Sequence, residues 1–263
     1  MAEDEISNGI SKAMLAMVQM IMMMYILQYM MQYLQQSLGA IGLPGAGKEE
    51  GEEEEGEGGE GEGGEIQYED LSTFTEEDPN GVLTVEQYSV SAENMRRDDP
   101  ARLYKDYGAG HFGNFDIRWK VTLHSYSGDM ADSFTLISDN LGYGKSDIVD
   151  GLKVIYSYSE IIGNPTISLY KYVGGSSTKI GDYQISTETS YYLKFVRDNG
   201  TIHLYIYSDE DMQNLLTEIS GDVSDLQSSF SKLVFISGRY DTSTNPSSTI
   251  SITVENLRIV KAN

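Results

Sequence analysis

Tyrosine recurs at alternate positions in three stretches of the 263-residue chain. The pairs are Tyr156 and Tyr158, Tyr170 and Tyr172, and Tyr205 and Tyr207. Side chains at positions i and i+2 lie on one face of a strand, so both rings of a pair point the same way. Such rings can stack on sugars while their hydroxyls form hydrogen bonds, and tyrosine is also common in protein interfaces. The six tyrosines are therefore candidate carbohydrate- or partner-binding residues, with ordinary cross-strand packing as the alternative.

The residues between these tyrosines indicate which face of each strand is buried. In TISLYKYV the alternate positions are Ile167 and Leu169, and in TIHLYIYS they are Ile202, Leu204 and Ile206. If the aliphatic side chains face the interior of a sandwich, the tyrosines of both strands form an exposed aromatic face.

Residue types that support catalysis are poorly placed in this sequence. Glycoside hydrolysis needs two carboxylates on either side of one bond. The nearest acidic cluster, Asp209 to Asp211, reads as a loop that leaves a strand, and no strand has alternating acids. Cysteine is absent, the three histidines are far apart, and GYGKS at 142–146 lacks the spacing of a phosphate-binding loop. We expect no enzymatic activity, with a glycoside hydrolase as the third-ranked reading.

The charge of the chain argues against nucleic acid as a partner. The formal net charge is -23, from 41 acidic and 18 basic residues. Residues 49–65 contain ten glutamates and no base, and removing those ten charges leaves -13 on the remainder. Binding to nucleic acid requires a positive surface, which this composition does not provide.

Residues 1–44 are predicted to form an apolar α-helix, because no charged side chain occurs between Lys12 and Lys48. Residues 13–34 could span about 33 Å as a helix, enough for a bilayer core of about 30 Å. Glutamines occupy one side of its second half. We favour a helix packed among its own copies or in a protein shell, with contact to a membrane as the alternative. The candidate oligomer or anchor residues are Met17, Met20, Met23, Met24, Ile26, Met30 and Leu34.

Two further segments follow this helix. Residues 45–65 are dominated by glycine and glutamate, which predicts a disordered, extended linker. Residues 66–263 contain short strand-like runs separated by Gly, Asn, Asp and Ser, which predicts an all-β sandwich of two antiparallel sheets. Asn199-Gly200 predicts a tight hairpin turn. Only the stretch from Ser208 to Ser231 favours short helical turns.

The order of these strands resembles the jelly rolls of the concanavalin A-like lectin and laminin G-like superfamily. The likeness rests on FGNFDIRWKVTL at 112–123, YYLKFVRDNGTIHLYIYSD at 191–209 and ITVENLRIV at 252–260. It covers residues 80–263. The resemblance implies a lectin-like jelly-roll domain, and it leaves the function open because one sandwich hosts unrelated sites.

The resemblance also makes calcium the one cofactor to consider, because some lectin-like jelly rolls bind it through loop oxygens. Asp139, Asn140 and Asp147 are the weak candidate ligands, and solvated turn residues are the alternative. We expect a non-enzymatic structural or attachment protein whose lectin-like head is displayed on an oligomeric helix. A virion surface is favoured because a conventional secretion signal is missing. A secreted or membrane-anchored carbohydrate-binding adhesin or accessory module of the cell envelope is the alternative.

Overall fold

The computed structural model describes residues 67–142, 147–159, 163–239 and 246–262, with side chains to residue 260. The predicted helix at 1–44, including its membrane or oligomer residues, and the linker at 45–65 lie outside these ranges. Within the described ranges, none of the helical segments is long and apolar enough to cross a bilayer.

Fourteen strands form two antiparallel sheets that pack face to face. Sheet A has seven strands in the order β1-β4-β13-β6-β7-β8-β9, and sheet B has seven in the order β12-β11-β10-β5-β14-β3-β2. A single 3-10 turn, Leu71–Thr73, precedes them. The strands are β1 Thr75–Glu77, β2 Leu83–Val85, β3 Ser89–Arg96, β4 Arg102–Asp106, β5 Phe115–Ser127, β6 Met130–Ser138, β7 Gly151–Ser159, β8 Thr166–Val173, β9 Ser176–Gln184, β10 Ser190–Asp198, β11 Thr201–Tyr207, β12 Leu215–Asp222, β13 Lys232–Gly238 and β14 Thr249–Ala262.

Alternation along each strand places one set of side chains in the core between the sheets. In β5 every second residue from Phe115 to Leu123 is buried, and the residues between them are half-buried. The five aliphatic residues that accompany the predicted tyrosines in β8 and β11 are fully buried in the same core. Burial of each such side chain stabilises the fold by about 1.5–3 kcal/mol. The predicted two-sheet antiparallel sandwich is thus confirmed for the described residues.

The prediction of helical turns between Ser208 and Ser231 is wrong, because Leu215–Asp222 is β12, the edge strand beside β11. Of the eight residues of β12 only Ile219 is buried, so its sequence shows weak alternation. The sequence pattern also does not predict three other strands, β1, β4 and β9.

The predicted hairpin turn at Asn199-Gly200 is confirmed. It joins β10 to β11, and both residues have positive φ, +47° and +83°. Both central residues of a type I′ turn need positive φ, which explains the Asn-Gly pair.

Glycine brings the two sheets into close contact at one edge of the sandwich. A Cβ on Gly181 of β9 would lie 2.8 Å from Cγ2 of Ile219 in β12. A Cβ on Gly221 of β12 would lie 2.8 Å from Cγ2 of Ile180 in β9. An isoleucine of each strand thus packs against a glycine of the other strand, and we call this contact the glycine–isoleucine lock. It closes the sandwich without a connecting strand.

The outer face of sheet B is ordered in cross-strand rows. One row runs Tyr207, Tyr192, Lys120 and Glu255 across β11, β10, β5 and β14. The next row runs Tyr205, Lys194, Arg118 and Arg258 across the same four strands. Glu255 and Arg258 are three positions apart, yet they pair with Lys120 and Arg118, which are two positions apart. A bulge in β14 between Glu255 and Arg258 accounts for the extra residue. The rows bring aromatic and charged side chains into one patch.

Candidate functional site

One of the six predicted tyrosines belongs to the core and not to an exposed face. Tyr156 in β7 is fully buried, and its hydroxyl accepts a hydrogen bond from Nε1 of Trp119 at 2.8 Å. The same hydroxyl lies 3.1 Å from Oγ1 of Thr135. Tyr156 is therefore not on the predicted exposed face, because β7 directs positions 152, 154 and 156 inward. Burial raises the pKa of Tyr156 and keeps the hydroxyl protonated as a partner for Trp119.

The neighbouring Tyr158 remains half-buried at the end of the sandwich. Its ring stacks on Tyr126 of β5 with centroids 3.8 Å apart and planes at 19°. A bulge after Leu123 in the pairing of β5 with β14 turns Tyr126 toward the core side, where it meets Tyr158. The pair therefore joins the two sheets.

Tyr170 and Tyr172 lie on the outer face of sheet A. Tyr172 is only 1% exposed, because it packs in a second apolar cluster with Phe134, Leu136 and Ile148. Burial raises its pKa to about 12. Tyr170 is half-buried beside the cluster. An outward position on this strand therefore does not leave Tyr172 free to contact a ligand.

Tyr205 and Tyr207 lie on the outer face of sheet B and are half-buried. Their ring centroids are 6.5 Å apart. Tyr205 stacks on His203 with planes at 5°, and Nζ of Lys194 lies 5.7 Å from its ring centroid. Because Tyr170 and Tyr172 lie on the other sheet, and Tyr172 is buried there, the two pairs do not form one exposed aromatic face.

A cleft of about 310 Å³ opens on the outer face of sheet B beside these two tyrosines. Arg118 and Lys120 of β5, Tyr192 of β10 and Arg258 of β14 lie side by side beneath it, as the strand register dictates. Its volume lies at the lower end of the range of about 300–1,000 Å³ that is typical of ligand pockets.

Two segments outside these strands form the walls of the cleft. Tyr68 lies on one side, and the next residue, Glu69, donates its backbone N–H to the carbonyl of Leu257 at 2.8 Å. The turn at 208–214 lies on the other side and contributes Glu210, Asp211 and Met212. The β14 bulge therefore holds Tyr68 in place through the chain that follows it.

The wall at 208–214 is held rigid by the carboxylate of Asp209. Its two oxygens accept backbone N–H groups of Gln213 at 3.0 Å and Asn214 at 2.7 Å. These bonds, led by that of Gln213, lower the pKa of Asp209. Asp209 is thus a structural anion of the turn, whereas Glu210 and Asp211 are exposed at the rim.

Two residues that line the cleft have left-handed backbone conformations. Met212 has φ +54° and Asn256 has φ +57°. Asparagine tolerates this region better than methionine, and the bond from Met212 N–H to the carbonyl of Asp209 at 3.1 Å supports the conformation. Such residues cluster at ligand sites more often than elsewhere, which favours this cleft as a site.

Ion pairs hold most of the charged side chains beneath the cleft. Arg118 forms two bonds to Asp116, at 2.9 and 2.8 Å, and Lys120 pairs with Glu255. The hydrogen bond to Asp116 raises the pKa of Arg118, and the bond to Glu255 raises that of Lys120. Burial and the nearby carboxylate of Glu210 raise the pKa of Tyr68. The cleft thus presents fixed cations and the neutral phenol of Tyr68 at neutral pH.

The calcium candidates do not converge on a site. The Oδ1 atom of Asp139 accepts hydrogen bonds from the N–H and hydroxyl of Ser231, both at 2.7 Å, and Oδ2 accepts from Gln227 at 2.6 Å. Burial acts to raise the pKa of Asp139, and these bonds outweigh it and lower the pKa. Asn140 and Asp147 are exposed. In the part of the chain that the structure describes, no three His, Asp or Glu side chains are arranged to hold a metal ion.

Two other depressions are less suited to a ligand. One, of about 580 Å³, is lined mainly by small residues of the 108–110 and 227–231 segments, with Asp106 and Asp139. The other, of about 100 Å³ on sheet A, is too small for a sugar ring. The first has no aromatic ring in its lining, and the second combines Tyr170 and Tyr172 with Lys153 and Arg239 but lacks the volume for a sugar.

The sequence pattern selects Tyr205 and Tyr207, which lie near the cleft but are not among its lining residues, and it does not identify Tyr68, Tyr192 or the arginines. Tyr192 is the outward member of the Tyr191-Tyr192 doublet, so the alternation of β10 could have identified it. Tyr68 precedes the first strand, and its position depends on a tertiary hydrogen bond that no local pattern encodes.

Solved structures similar to the sandwich come from several proteins. A functionally unknown protein from Saccharomyces cerevisiae superposes with a TM-score of 0.52 at 15% identity, over 74% of this chain and 98% of that one. The exoplasmic/lumenal domain of VIP36, in its Ca2+/Man-bound form, gives a TM-score of 0.50 at 13% identity, over 74% and 94%. Winged bean acidic lectin, complexed with methyl-α-D-galactose, gives 0.45 at 12% identity, over 73% and 96%.

The similarity is one of fold. No protein-family model matches the sequence, and no curated protein matches it. The two seven-stranded antiparallel sheets and the superposition on the VIP36 domain agree with the resemblance carried by the strands at 112–123, 191–209 and 252–260. The described part of the chain has a two-sheet antiparallel jelly-roll fold that is similar to that of the VIP36 domain.

Proposed function

We propose that the head is a non-enzymatic carbohydrate-binding domain whose ligand occupies the cleft on sheet B. The observation that carries the proposal is the combination of Tyr68 and Tyr192 with the cations Arg118, Lys120 and Arg258 around one cleft. Tyrosine rings offer apolar faces to a sugar ring, and the charged groups and the Asn256 side chain offer hydrogen bonds to its hydroxyls. The VIP36 domain, which has a similar fold, was solved in a Ca2+/Man-bound form.

The position of the cleft also supports binding without a large rearrangement. The side chains beneath it extend from strands in the middle of sheet B, and the hydrogen bonds of Asp209 hold the turn that forms one wall. A ligand would therefore lose little affinity to the ordering of the site, which is a major cost when binding surfaces are mobile.

A glycan array followed by calorimetry tests the proposal. We expect the head to bind a subset of glycans, and Tyr192→Ala to weaken binding at least about tenfold because a stacking face is lost. Tyr170→Ala is the matched control, because Tyr170 is a half-buried tyrosine on the other sheet. The proposal fails if no glycan binds, or if both variants weaken binding equally.

Catalysis is not part of the proposal. The rim carboxylates Glu210 and Asp211 are neighbours on one exposed turn, whereas a glycosidase needs carboxylates on two sides of the scissile bond. We expect no release of reducing sugar from the glycans that bind. Sustained release that is lost in Glu210→Gln would show that the cleft is an active site.

Calcium is a candidate co-ligand because the VIP36 domain was solved in a Ca2+-bound form. The carboxylate of Asp139 is engaged by Gln227 and Ser231, so we expect glycan affinity to be the same with calcium and with a chelator. A loss of glycan affinity in the presence of chelator would show that calcium takes part in glycan binding.

We further propose that the head is displayed on the predicted helix and linker, as in a virion structural or spike protein. A secreted or membrane-anchored adhesin is the alternative. The support is the juxtaposition of an uncharged stretch at 13–34 with the Gly/Glu stretch at 49–65. Mass measurement of the full chain and of residues 66–263 in buffer without detergent tests this. We expect a defined oligomer of the full chain beside a monomeric head, detergent dependence would indicate a membrane span, and two monomers would contradict both.

A further inference from the structure

We propose that the cleft on sheet B selects a sugar that carries one carboxylate, and that Arg258 is the residue that reads this charge. The inference rests on the proposed function and specifies the class of ligand. It follows from the strand register, which places Arg258 of β14 directly opposite Arg118 of β5 on the outer face of the sheet.

Two arginines in directly opposed positions repel each other unless anions separate them. Arg118 has its anion, because Asp116 binds its guanidinium with two hydrogen bonds. Arg258 is half-buried and forms no ion pair with any residue of the described ranges. A guanidinium in this position presents a planar set of donors that matches a carboxylate.

Cations are concentrated beneath the cleft although the chain as a whole has a net charge of -23. Lys120, Lys194, Arg118 and Arg258 occupy four neighbouring positions of the two rows. Asp116 and Glu255 pair with the first three of these cations, and Glu210 and Asp211 lie at the rim. A protein so acidic repels polyanions at long range, so a local cationic site favours a single anionic group that enters the cleft.

The rim of the cleft argues for one charge on a polar ligand and against a heavily charged ligand. Glu210 and Asp211 are exposed at the side that faces solvent. They can accept hydrogen bonds from sugar hydroxyls, and they would repel a second anionic group. A carboxylated sugar matches both parts of the cleft, with its carboxylate at Arg258 and its hydroxyls at the rim. A phosphate- or sulfate-rich chain matches Arg258 but is repelled by the rim carboxylates.

Binding of the full chain to methyl galacturonoside, which carries one carboxylate, to its methyl ester and to a heparin fragment tests the inference. The ester keeps the sugar ring and removes the charge. We expect the acid to bind at least about tenfold more tightly than the ester, and the heparin fragment to bind more weakly than the acid. We expect Arg258→Gln to abolish the preference for the acid, so that the variant binds the acid and the ester with equal affinity. Arg96→Gln, an exposed arginine of β3 in the same sheet, is the control for net charge.

Each outcome bears on a different claim. Equal affinity for the acid and the ester overturns the selection of a carboxylate and leaves carbohydrate binding intact. A preference for the acid that survives Arg258→Gln, or that Arg96→Gln reduces equally, overturns the role of Arg258. Tighter binding of heparin than of the acid overturns the argument from the rim. Failure of these ligands and of the neutral glycan array to bind overturns the proposed function with the inference.

Discussion

The outer faces of the two sheets have the same sequence pattern, but their outward side chains differ in burial. On sheet A, Phe134, Leu136 and Tyr172 lie beneath Ile148 and are almost fully buried. On sheet B, Tyr205, Tyr207 and Tyr192 stay half-buried beside an open cleft. Both faces contain tyrosines at alternate positions of a strand. The difference depends on whether a loop segment covers the face, which a strand's own sequence does not encode.

The largest expected difference between the faces is in stability. Phe134→Ala removes a ring that is only 1% exposed. The ammonium of Lys153 lies 3.4 Å from the centroid of this ring. We expect a loss of about 3–5 kcal/mol in the free energy of unfolding, because a cavity remains where the ring packed.

Tyr205→Ala is the matched change on sheet B, and we expect it to cost less than about 1.5 kcal/mol because the ring is half-buried. Urea unfolding of both variants measures the difference. Equal losses would mean that the outer face of sheet B contributes to a core of its own, and the contrast between the faces would be lost.

The second prediction concerns the edge at which the two sheets meet. Gly221→Ala places a methyl group 2.8 Å from Ile180, in the glycine–isoleucine lock. We expect a loss of about 1–3 kcal/mol through overpacking, measured by thermal and urea unfolding. Adding Ile180→Ala should recover part of the loss, because it vacates the space that the new methyl needs. A control, Gly174→Ala, meets no atom within 4 Å but strains a backbone with φ +55°, so it separates a clash from a backbone effect.

The smallest expected effect appears only at alkaline pH. The pKa of Tyr172 is about 12 in the folded state because of burial, and it is about 10 in an unfolded chain. Above about pH 10 the unfolded state releases this proton while the folded state retains it, so stability falls between about pH 10 and pH 12. Tyr172→Phe should be close to wild type at pH 7 and should lose stability less steeply over that window. The free energies of unfolding of the wild type and of Tyr172→Phe are measured in urea at pH 9 and pH 11. An equal loss in both proteins between these pH values would contradict the burial of this hydroxyl.

The sequence was informative about the sandwich and less so about its ligand site. The run at 166–173 coincides with β8 because apolar residues alternate along it, and the run at 232–238 coincides with β13 because it is a short continuous apolar run. The sequence of the edge strand β12 indicates helical turns instead, because its pairing with β11, and not its own alternation, defines it as a strand. The same limit applied to the cleft, since Arg258 meets Arg118 only through a bulge in a pair of strands more than a hundred residues apart.

The single tryptophan of the chain gives the head an internal spectroscopic reporter. Trp119 lies in β5 between Arg118 and Lys120, its indole N–H is bound to the hydroxyl of Tyr156, and its ring contacts Phe195 edge-on. Selective excitation of indole would therefore report on the sandwich and on no other part of the protein. A ligand that shifts the strand carrying Arg118 and Lys120 should change this emission, so glycan binding can be titrated on the unlabelled full-length chain.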